Sequence, residues 1–337
     1  MKAVGYTMLG EIDREDSLVD FEMDRPSAEG RDLLVAVRAV AVNPVDYKVR
    51  NRRPPEGDQP NVLGYDAVGE VVETGADVTL FKPGDRVWYA GVINRSGTNA
   101  EFHLVDERIV GRAPEGVADA AAAAMPLTTL TAYEMLFDRL RVEDPVPGAA
   151  PAVLIIGAAG GVGSIAIQLL RAKTELDVIA TASRPETTAW ARELGAHHVI
   201  SHYDPLAPQI DALGVGAPGF VFSTTHTHLY LDQVAELIAP QGRFGLIDDP
   251  DTLNVMPFKT KAVSTHWELM FTRPMFETAD MGRQGDILTE AAGLIEDGRI
   301  RSTATEALGP ITAVNLRRAH QKLASGTARG KLVLEGF

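Results

Sequence analysis

Residues 154–163 read Leu154-Ile155-Ile156-Gly157-Ala158-Ala159-Gly160-Gly161-Val162-Gly163. The continuous apolar run Ala152–Ile156 leads in, as expected of a strand buried on both faces of a parallel sheet. Gly161–Arg171 leads out, with Val162, Ile165, Ala166 and Leu169 at helical spacing. A glycine-rich turn between a strand and a helix suits a dinucleotide. Glycines let the backbone approach a pyrophosphate closely, and the helix N-terminus offers free N–H groups and the positive end of its dipole. The strict G-x-G-x-x-G is not met, because Ala158 stands at its first glycine. Gly157, Gly160 and Gly163 give G-x-x-G-x-x-G instead.

Beyond the loop the same alternation continues. Val178–Thr181 predicts the next strand, Glu186–Leu194 a helix stopped by Gly195, and His198–Ser201 a third strand. Gly219–Phe222, Leu229–Ile238 and Gly242–Ile247 add strand, helix and strand. Strands alternating with helices imply a doubly wound parallel sheet. The first third differs. Leu33–Val40, Asp66–Glu73, Phe81–Trp88, Glu101–Val105 and Ile109–Val110 are short β-favouring runs at close spacing, as in a small barrel. Pro126–Phe137 reads as a helix, Gln284–Glu296 and Ala313–Ser325 as amphipathic helices, and Lys331–Glu335 as a closing strand. The expected organisation is α/β: a β-rich domain of residues 1–125 with 271–337, and a doubly wound domain of residues 126–270.

The end of the second strand selects among dinucleotides. An NAD site usually has Asp or Glu ~20 residues past the loop, on the ribose 2′-hydroxyl. Here the strand ends Ala180-Thr181-Ala182-Ser183-Arg184-Pro185, with no acid. Ser183 can donate to a phosphate and Arg184 can pair with it, which favours the 2′-phosphate of NADP. That arginine acts against the field of the whole chain, whose formal net charge is −14.

The same charge disfavours a nucleic-acid partner. With 45% hydrophobic and 23% charged residues, the composition excludes a disordered or fibrous chain. There is no cysteine, which excludes disulfides, thiolate nucleophiles and Cys-ligated metal. The start Met1-Lys2-Ala3-Val4-Gly5 lacks a signal-peptide pattern, and no apolar run reaches the ~18 residues of a membrane helix. A cytoplasmic protein with no membrane partner is expected.

The chain resembles the medium-chain dehydrogenase/reductase superfamily, and within it the zinc-independent quinone oxidoreductases and the zinc-type alcohol dehydrogenase-like group. The matching segments are Ala41–Lys48, Leu63–Val71, Lys82–Val87, Leu130–Tyr133, Gly157–Gly163 and Gly330–Leu334. The resemblance implies a GroES-like β-rich barrel domain beside a Rossmann domain. It also implies that Asn43, Pro44 and Thr131 lie near the nicotinamide. Gly157, Ala159, Gly160, Gly161 and Val162 hold the pyrophosphate, and Ser183, Arg184 and His202 surround the 2′-phosphate. Thr187 stands where many relatives have a lysine. Thr224, Ile247 and Asp248 border the nicotinamide side, and Lys331 reaches the cleft from the tail. Zinc members carry Cys-His where this chain has Asn43-Pro44, and Gly-His-Glu where it has Gly64-Tyr65-Asp66. No zinc is therefore expected.

Without a Lewis acid the acceptor must take hydride unaided, as quinones and α,β-unsaturated carbonyls do. Tyr47, Lys48 and Tyr65 are the candidate donors to the acceptor oxygen. Two alternatives stand beside an NADP(H)-dependent reductase of such acceptors. One is an enoyl-thioester reductase using Arg50, Arg52 and Arg53, near an exposed Pro54-Pro55-Glu56 loop. The other is an NADPH-binding sensor or structural protein with weak catalysis. Relatives commonly pair through an edge strand, so a homodimer through Lys261–Trp267 is expected. His226-Thr227-His228 reads as a loop, and Asp248-Asp249-Pro250-Asp251 as a solvated acidic loop.

Overall fold

The computed structural model describes residues 1–55, 57 and 59–337; Glu56 of the expected Pro54-Pro55-Glu56 loop lies outside them. The chain forms two compact units, Met1–Leu130 with Phe271–Phe337, and Thr131–Met270. The sequence pattern sets the first junction at 125/126, five residues earlier.

The first unit opens with β1 (Lys2–Tyr6), β2 (Val19–Glu22), β3 (Asp32–Val42), α1 (Pro44–Arg52), β4 (Asn61–Val62), β5 (Ala67–Thr74), β6 (Arg86–Tyr89), β7 (Phe102–Asp106), β8 (Gly111–Arg112), α2 (Asp119–Ala123) and α3 (Pro126–Tyr133). The eleven-residue β3 is the spine. Its Leu, Val and Ala side chains suit a pleated, largely buried surface, and Leu33, Leu34, Val35, Ala39 and Val40 are fully buried. It pairs antiparallel with β5, with breaks in register after Leu34 and Val37 that bend the sheet. It also pairs with β7.

Helix α1 was not foreseen, though its start carries a recognisable signature. Asn43 is the extended N-cap and Pro44 takes the first helical position. Asp46, three residues after the cap, accepts the Asn43 N–H at 2.6 Å. The expected closing strand Ile109–Val110 is instead a 3₁₀ turn, Glu107–Ile109, that precedes β8. The helix expected over Pro126–Phe137 is α-helical only to Tyr133 and widens to π geometry over Glu134–Arg139.

The second unit contains β9 (Ala150–Ile156), α4 (Gly161–Lys173), β10 (Asp177–Thr181), α5 (Pro185–Glu193), β11 (His198–Ile200), α6 (Leu206–Leu213), β12 (Pro218–Ser223), α7 (Thr227–Leu237), β13 (Arg243–Leu246) and β14 (Ser264–Trp267). All six strands are parallel, in the order β11-β10-β9-β12-β13-β14. The chain winds outward from β9 through β11, then returns to β12 on the other side of β9. The switch point therefore lies between β9 and β12, where open α/β sheets leave a crevice at the strands' carboxyl ends. Leu154, Ile156, Ile179, Val221, Phe244 and Leu246 pack with α6 and α7 in one core. Where a loop was expected at 226–228, α7 already begins at Thr227.

The first unit closes with α8 (Thr272–Met275), α9 (Arg283–Glu296), β15 (Ala304–Ala307), α10 (Ala313–Ala324) and β16 (Lys331–Glu335). Strand β16 pairs antiparallel with β3, from Leu332 opposite Val42 to Glu335 opposite Ala39, and so ties the tail to the spine. The architecture is the expected α/β one, a GroES-like β-rich unit and a doubly wound unit. No helix among the described residues is long and apolar enough to cross a membrane.

Candidate functional site

In the second unit the glycine loop joins β9 to α4, and each of its glycines meets a different demand. Gly157 has φ +80°, a left-handed conformation, and a Cβ there would strike the Thr224 hydroxyl. At Gly163 a Cβ would lie 2.5 Å from the Ala158 Cα, so only glycine lets α4 pack this close. A Cβ on Gly160 would meet nothing nearer than the Gly157 carbonyl, 3.5 Å away. The loop thus forms an open cradle below the N-terminus of α4, which no side chain caps. Ala159, Gly160, Gly161 and Val162 are half-exposed around it. Open space, backbone N–H groups and a positive dipole end fit a pyrophosphate.

Two threonines that hold the loop in shape were not both foreseen. Thr181, the last residue of β10, accepts the Gly157 N–H at 3.0 Å. Thr224, expected to border the nicotinamide side, donates its hydroxyl to the Ile156 carbonyl at 2.9 Å. Asp248 is likewise engaged: its carboxylate accepts the Thr227 N–H at 2.8 Å and the Thr227 hydroxyl at 2.5 Å. It caps α7, a structural duty the sequence reading did not assign. Ile247 is half-buried just past β13.

Past β10 the structure brings together Ser183, Arg184 and His202. Ser183 Oγ and His202 Nε2 share a hydrogen bond of 3.0 Å. Burial, with the positive charges of Arg184 and His226, holds the His202 imidazole below its usual pKa. Arg184 is the extended N-cap of α5, and its Nε lies 3.1 Å from Glu186. Thr187 is buried, and its hydroxyl exchanges hydrogen bonds with the Arg184 backbone at 3.2 and 2.9 Å, so it positions that arginine. Tyr203, unmarked in the sequence reading, lies edge-on to His202 with ring centroids 4.8 Å apart, and is 78% exposed. These residues offer an anion two nitrogen-bearing side chains and a hydroxyl.

The first unit carries a buried polar cluster around the start of α1. Lys331 Nζ donates to Asp66 Oδ2 at 2.8 Å and to Asn43 Oδ1. Asn43 Nδ2 donates to the same Asp66 oxygen at 2.7 Å, and the Leu127 N–H donates to Asp66 Oδ1 at 2.7 Å. Burial pushes the Asp66 carboxyl up, while Lys331, Asn43 and Leu127 pull it down. Asp46 is as deeply buried. Its Oδ2 accepts the Asn43 N–H, but its Oδ1 makes no hydrogen bond. Burial pushes its carboxyl up to about 7, against the Asn43 N–H and the charge of Lys331.

The three candidate donors separate on this frame. Tyr65 follows Gly64 directly into the cluster, is only 2% exposed and stacks edge-on against Phe271, with centroids 5.3 Å apart. Burial, with the Asp46 charge adding to it, raises the phenol pKa, so Tyr65 stays a neutral donor. Tyr47 and Lys48 are half-buried on α1, off the face formed by Asp46, Val49 and Arg50. Thr131 is buried in α3 and Pro44 is exposed. The arginines offered for a phosphate-bearing arm are engaged: Arg50 is buried and donates to the Gly10 carbonyl at 2.6 Å, and Arg53 to the Ile93 carbonyl at 2.6 Å. Among the described residues no group of three or more His, Asp or Glu is placed to hold a metal ion.

Two family models match the chain. The family model of the alcohol dehydrogenase GroES-like domain matches residues 29–124, and that of the zinc-binding dehydrogenase matches residues 194–334. A zinc-type alcohol dehydrogenase-like protein of Staphylococcus aureus is 39% identical over 338 residues, 99% of each chain. A crystal structure from Rhizobium etli, provisionally described as a zinc-dependent alcohol dehydrogenase, is 61% identical with a TM-score of 0.98, covering 100% of this chain and 98% of that one. The Escherichia coli quinone oxidoreductase, solved in complex with NADPH, shares the fold at 22% identity with a TM-score of 0.82, covering 99% of this chain and all of that one.

Proposed function

The chain belongs to the medium-chain dehydrogenase/reductase superfamily of oxidoreductases, and from that premise we propose that it is an NADPH-dependent, zinc-independent reductase of quinones or α,β-unsaturated carbonyls. The observation that carries the cofactor half is the group at the end of β10. Ser183 and His202 are hydrogen-bonded there beside Arg184, where an NAD site would have a carboxylate. A fold neighbour solved with NADPH agrees with this reading.

The zinc-free half rests on donor chemistry. Zinc takes Cys, His and carboxylate ligands in a tetrahedron. Here Asn43 and Tyr65 stand at the first two ligand positions that the resemblance points to. Asp66, the carboxylate beside them, already accepts from Lys331, Asn43 and Leu127. Lys331 thus supplies the positive charge that a cation would otherwise bring. The set does not fit zinc.

The bound nicotinamide supplies hydride. The chain's own residues do the rest: the glycine cradle and α4 hold the pyrophosphate, Ser183, Arg184 and His202 hold the 2′-phosphate, and Asn43, Pro44 and Thr131 orient the ring. Ile247, Asp248 and Thr224 shape the loops beside it. The Tyr65 hydroxyl donates to the acceptor oxygen as negative charge develops there. Its ring is buried and packed edge-on against Phe271. The enoyl-thioester alternative is weakened by Arg50 and Arg53, both taken by backbone carbonyls. We place the enzyme in the cytoplasm as a homodimer paired along β14.

Fluorescence titration of metal-free protein with NADPH and with NADH tests the cofactor assignment. NADPH should bind at least tenfold more tightly, and Arg184→Ala should weaken NADPH selectively. Equal affinities would remove the 2′-phosphate site, and binding of neither would remove the enzyme. Tight binding without turnover of any acceptor would favour the sensor reading.

A further inference from the structure

In the first unit a strap, Gly97-Thr98-Asn99, lies along Val62-Leu63-Gly64, the residues that lead into Tyr65. The Gly97 N–H donates to the Val62 carbonyl at 3.0 Å, and the Asn99 N–H to the Leu63 carbonyl at 2.9 Å. The Thr98 N–H donates to the Gly64 carbonyl at 2.9 Å, and the Thr98 hydroxyl to the Asp66 carbonyl at 3.1 Å. Thr98 thus holds the residue on each side of Tyr65. The fit leaves no slack. A Cβ on Gly97 would lie 2.3 Å from the Leu63 carbonyl carbon. Gly64 has φ +108°, and a Cβ there would lie 2.5 Å from the Thr98 hydroxyl.

His103 holds the start of this strap. It sits on β7, is 4% exposed, and stacks on Tyr89 of β6 with ring centroids 5.4 Å apart. Its Nε2 lies 2.9 Å from the Ser96 carbonyl and its Nδ1 3.1 Å from the Tyr89 hydroxyl. A carbonyl only accepts, so Nε2 carries the proton and Nδ1 accepts from the Tyr89 O–H. Burial brings the imidazole down to about 4, against the hydrogen bond to Ser96 and with the charge of Arg95 adding to it. Burial also raises the Tyr89 phenol, which stays a donor. A second anchor stands one residue earlier, where Arg95 grips Asp32 through two hydrogen bonds of 2.9 and 2.7 Å.

We propose that His103 is a positioning residue for Tyr65, acting through the Ser96 carbonyl and the strap that follows it. The proposal rests on the reductase reading given above. Every link is a hydrogen bond: His103 to Ser96, then Gly97, Thr98 and Asn99 to the backbone of residues 62–64, and Thr98 to Asp66. With both nitrogens engaged, His103 serves geometry rather than proton transfer. It sets where the strap begins, and the strap sets the direction of the Tyr65 hydroxyl. A misplacement of about 1 Å can cost ~100-fold in rate, so a bond this far from the acceptor still reaches the chemistry.

A double-mutant cycle with rescue tests this on the full chain, with NADPH and an acceptor that turns over. His103→Asn keeps a polar atom near the Nδ1 position and deletes the donor to Ser96. His103→Gln carries an amide N–H out to the Nε2 position. His103→Asn should lose roughly tenfold in kcat, and His103→Gln should recover most of it. In a Tyr65→Phe background His103→Asn should change kcat by less than about twofold, because the hydroxyl it positions is gone. Thr98→Val deletes the strap's donor to Asp66. It should behave as His103→Asn does in both backgrounds, and it carries the test if that variant does not fold. Affinity for NADPH, read by fluorescence, should be unchanged in all of them. Equal losses with and without the Tyr65 hydroxyl, or no recovery in His103→Gln, would overturn the proposal and leave the reductase reading standing. A wild type that turns over no quinone or enone would refute that reading, and the proposal with it.

Discussion

Lys331 and Asp66 are 265 residues apart in sequence, yet their charged atoms lie 2.8 Å apart, out of water. Removing one partner of such a pair leaves an uncompensated charge, which costs about 3–5 kcal/mol. Lys331→Met keeps the stem and deletes the charge, so chemical denaturation should show a loss of that size near pH 8. The sign of its pH dependence follows. Without the ammonium the folded-state pKa of Asp66, already raised by burial, rises further. Folded protein then binds a proton that unfolded protein releases above its ordinary value of 3.8. The deficit should therefore shrink as pH falls from 8 to 5; a constant deficit would mean that Asp66 is not the orphaned group. Residues of this kind are the least legible in a sequence. The matching tail segment marks Lys331 as reaching toward a site, but nothing in Gly64-Tyr65-Asp66 or Asn43–Asp46 says that three charges share one interior. Asp46 was missed for that reason: no helix was read at Asn43–Asp46, and only the packed structure shows that its carboxyl is buried.

At the scale of elements, local pattern and tertiary pairing divide the work. The glycine loop, β9, α4 and β10 were legible because period, glycine spacing and a two-sided apolar strand all act within thirty residues. Strands β2 and β15 were not, since neither buries a residue completely, and the short β1, though mostly buried, is held by β2 and β4 rather than by a local pattern. Strand β14 was expected within Lys261–Trp267. It forms over Ser264–Trp267 as the outermost strand of the six-stranded sheet, and residues 256–261 make a 3₁₀ turn before it. Its free edge invites a second strand, and Trp267 and Leu269, 55% and 52% exposed, add apolar surface. If two copies pair there, Trp267→Glu should give a monomer in light scattering where the wild type gives a dimer. A wild-type monomer, or a variant that stays dimeric, would place any interface elsewhere.

Across the whole molecule, the fold class follows from how the two kinds of segment alternate along the chain, which is why it was readable without coordinates. The cofactor loop was readable for the same reason. The acceptor side was not, because catalytic roles depend on where folding places each polar group, and Tyr65 is distinguished from Tyr47 only by burial and by Asp46 and Phe271 around it. The central claim is that a buried lysine, rather than zinc, completes a hydride-transfer enzyme. Its most direct test is the oxidation of NADPH by chelator-treated protein of measured metal content, assayed against a panel of quinones and enones and repeated with added zinc. The account predicts turnover of at least one such acceptor without metal, no gain from zinc, and no oxidation of simple alcohols by NADP. Activity that appears only when zinc is restored, or that acts on alcohols, would contradict it.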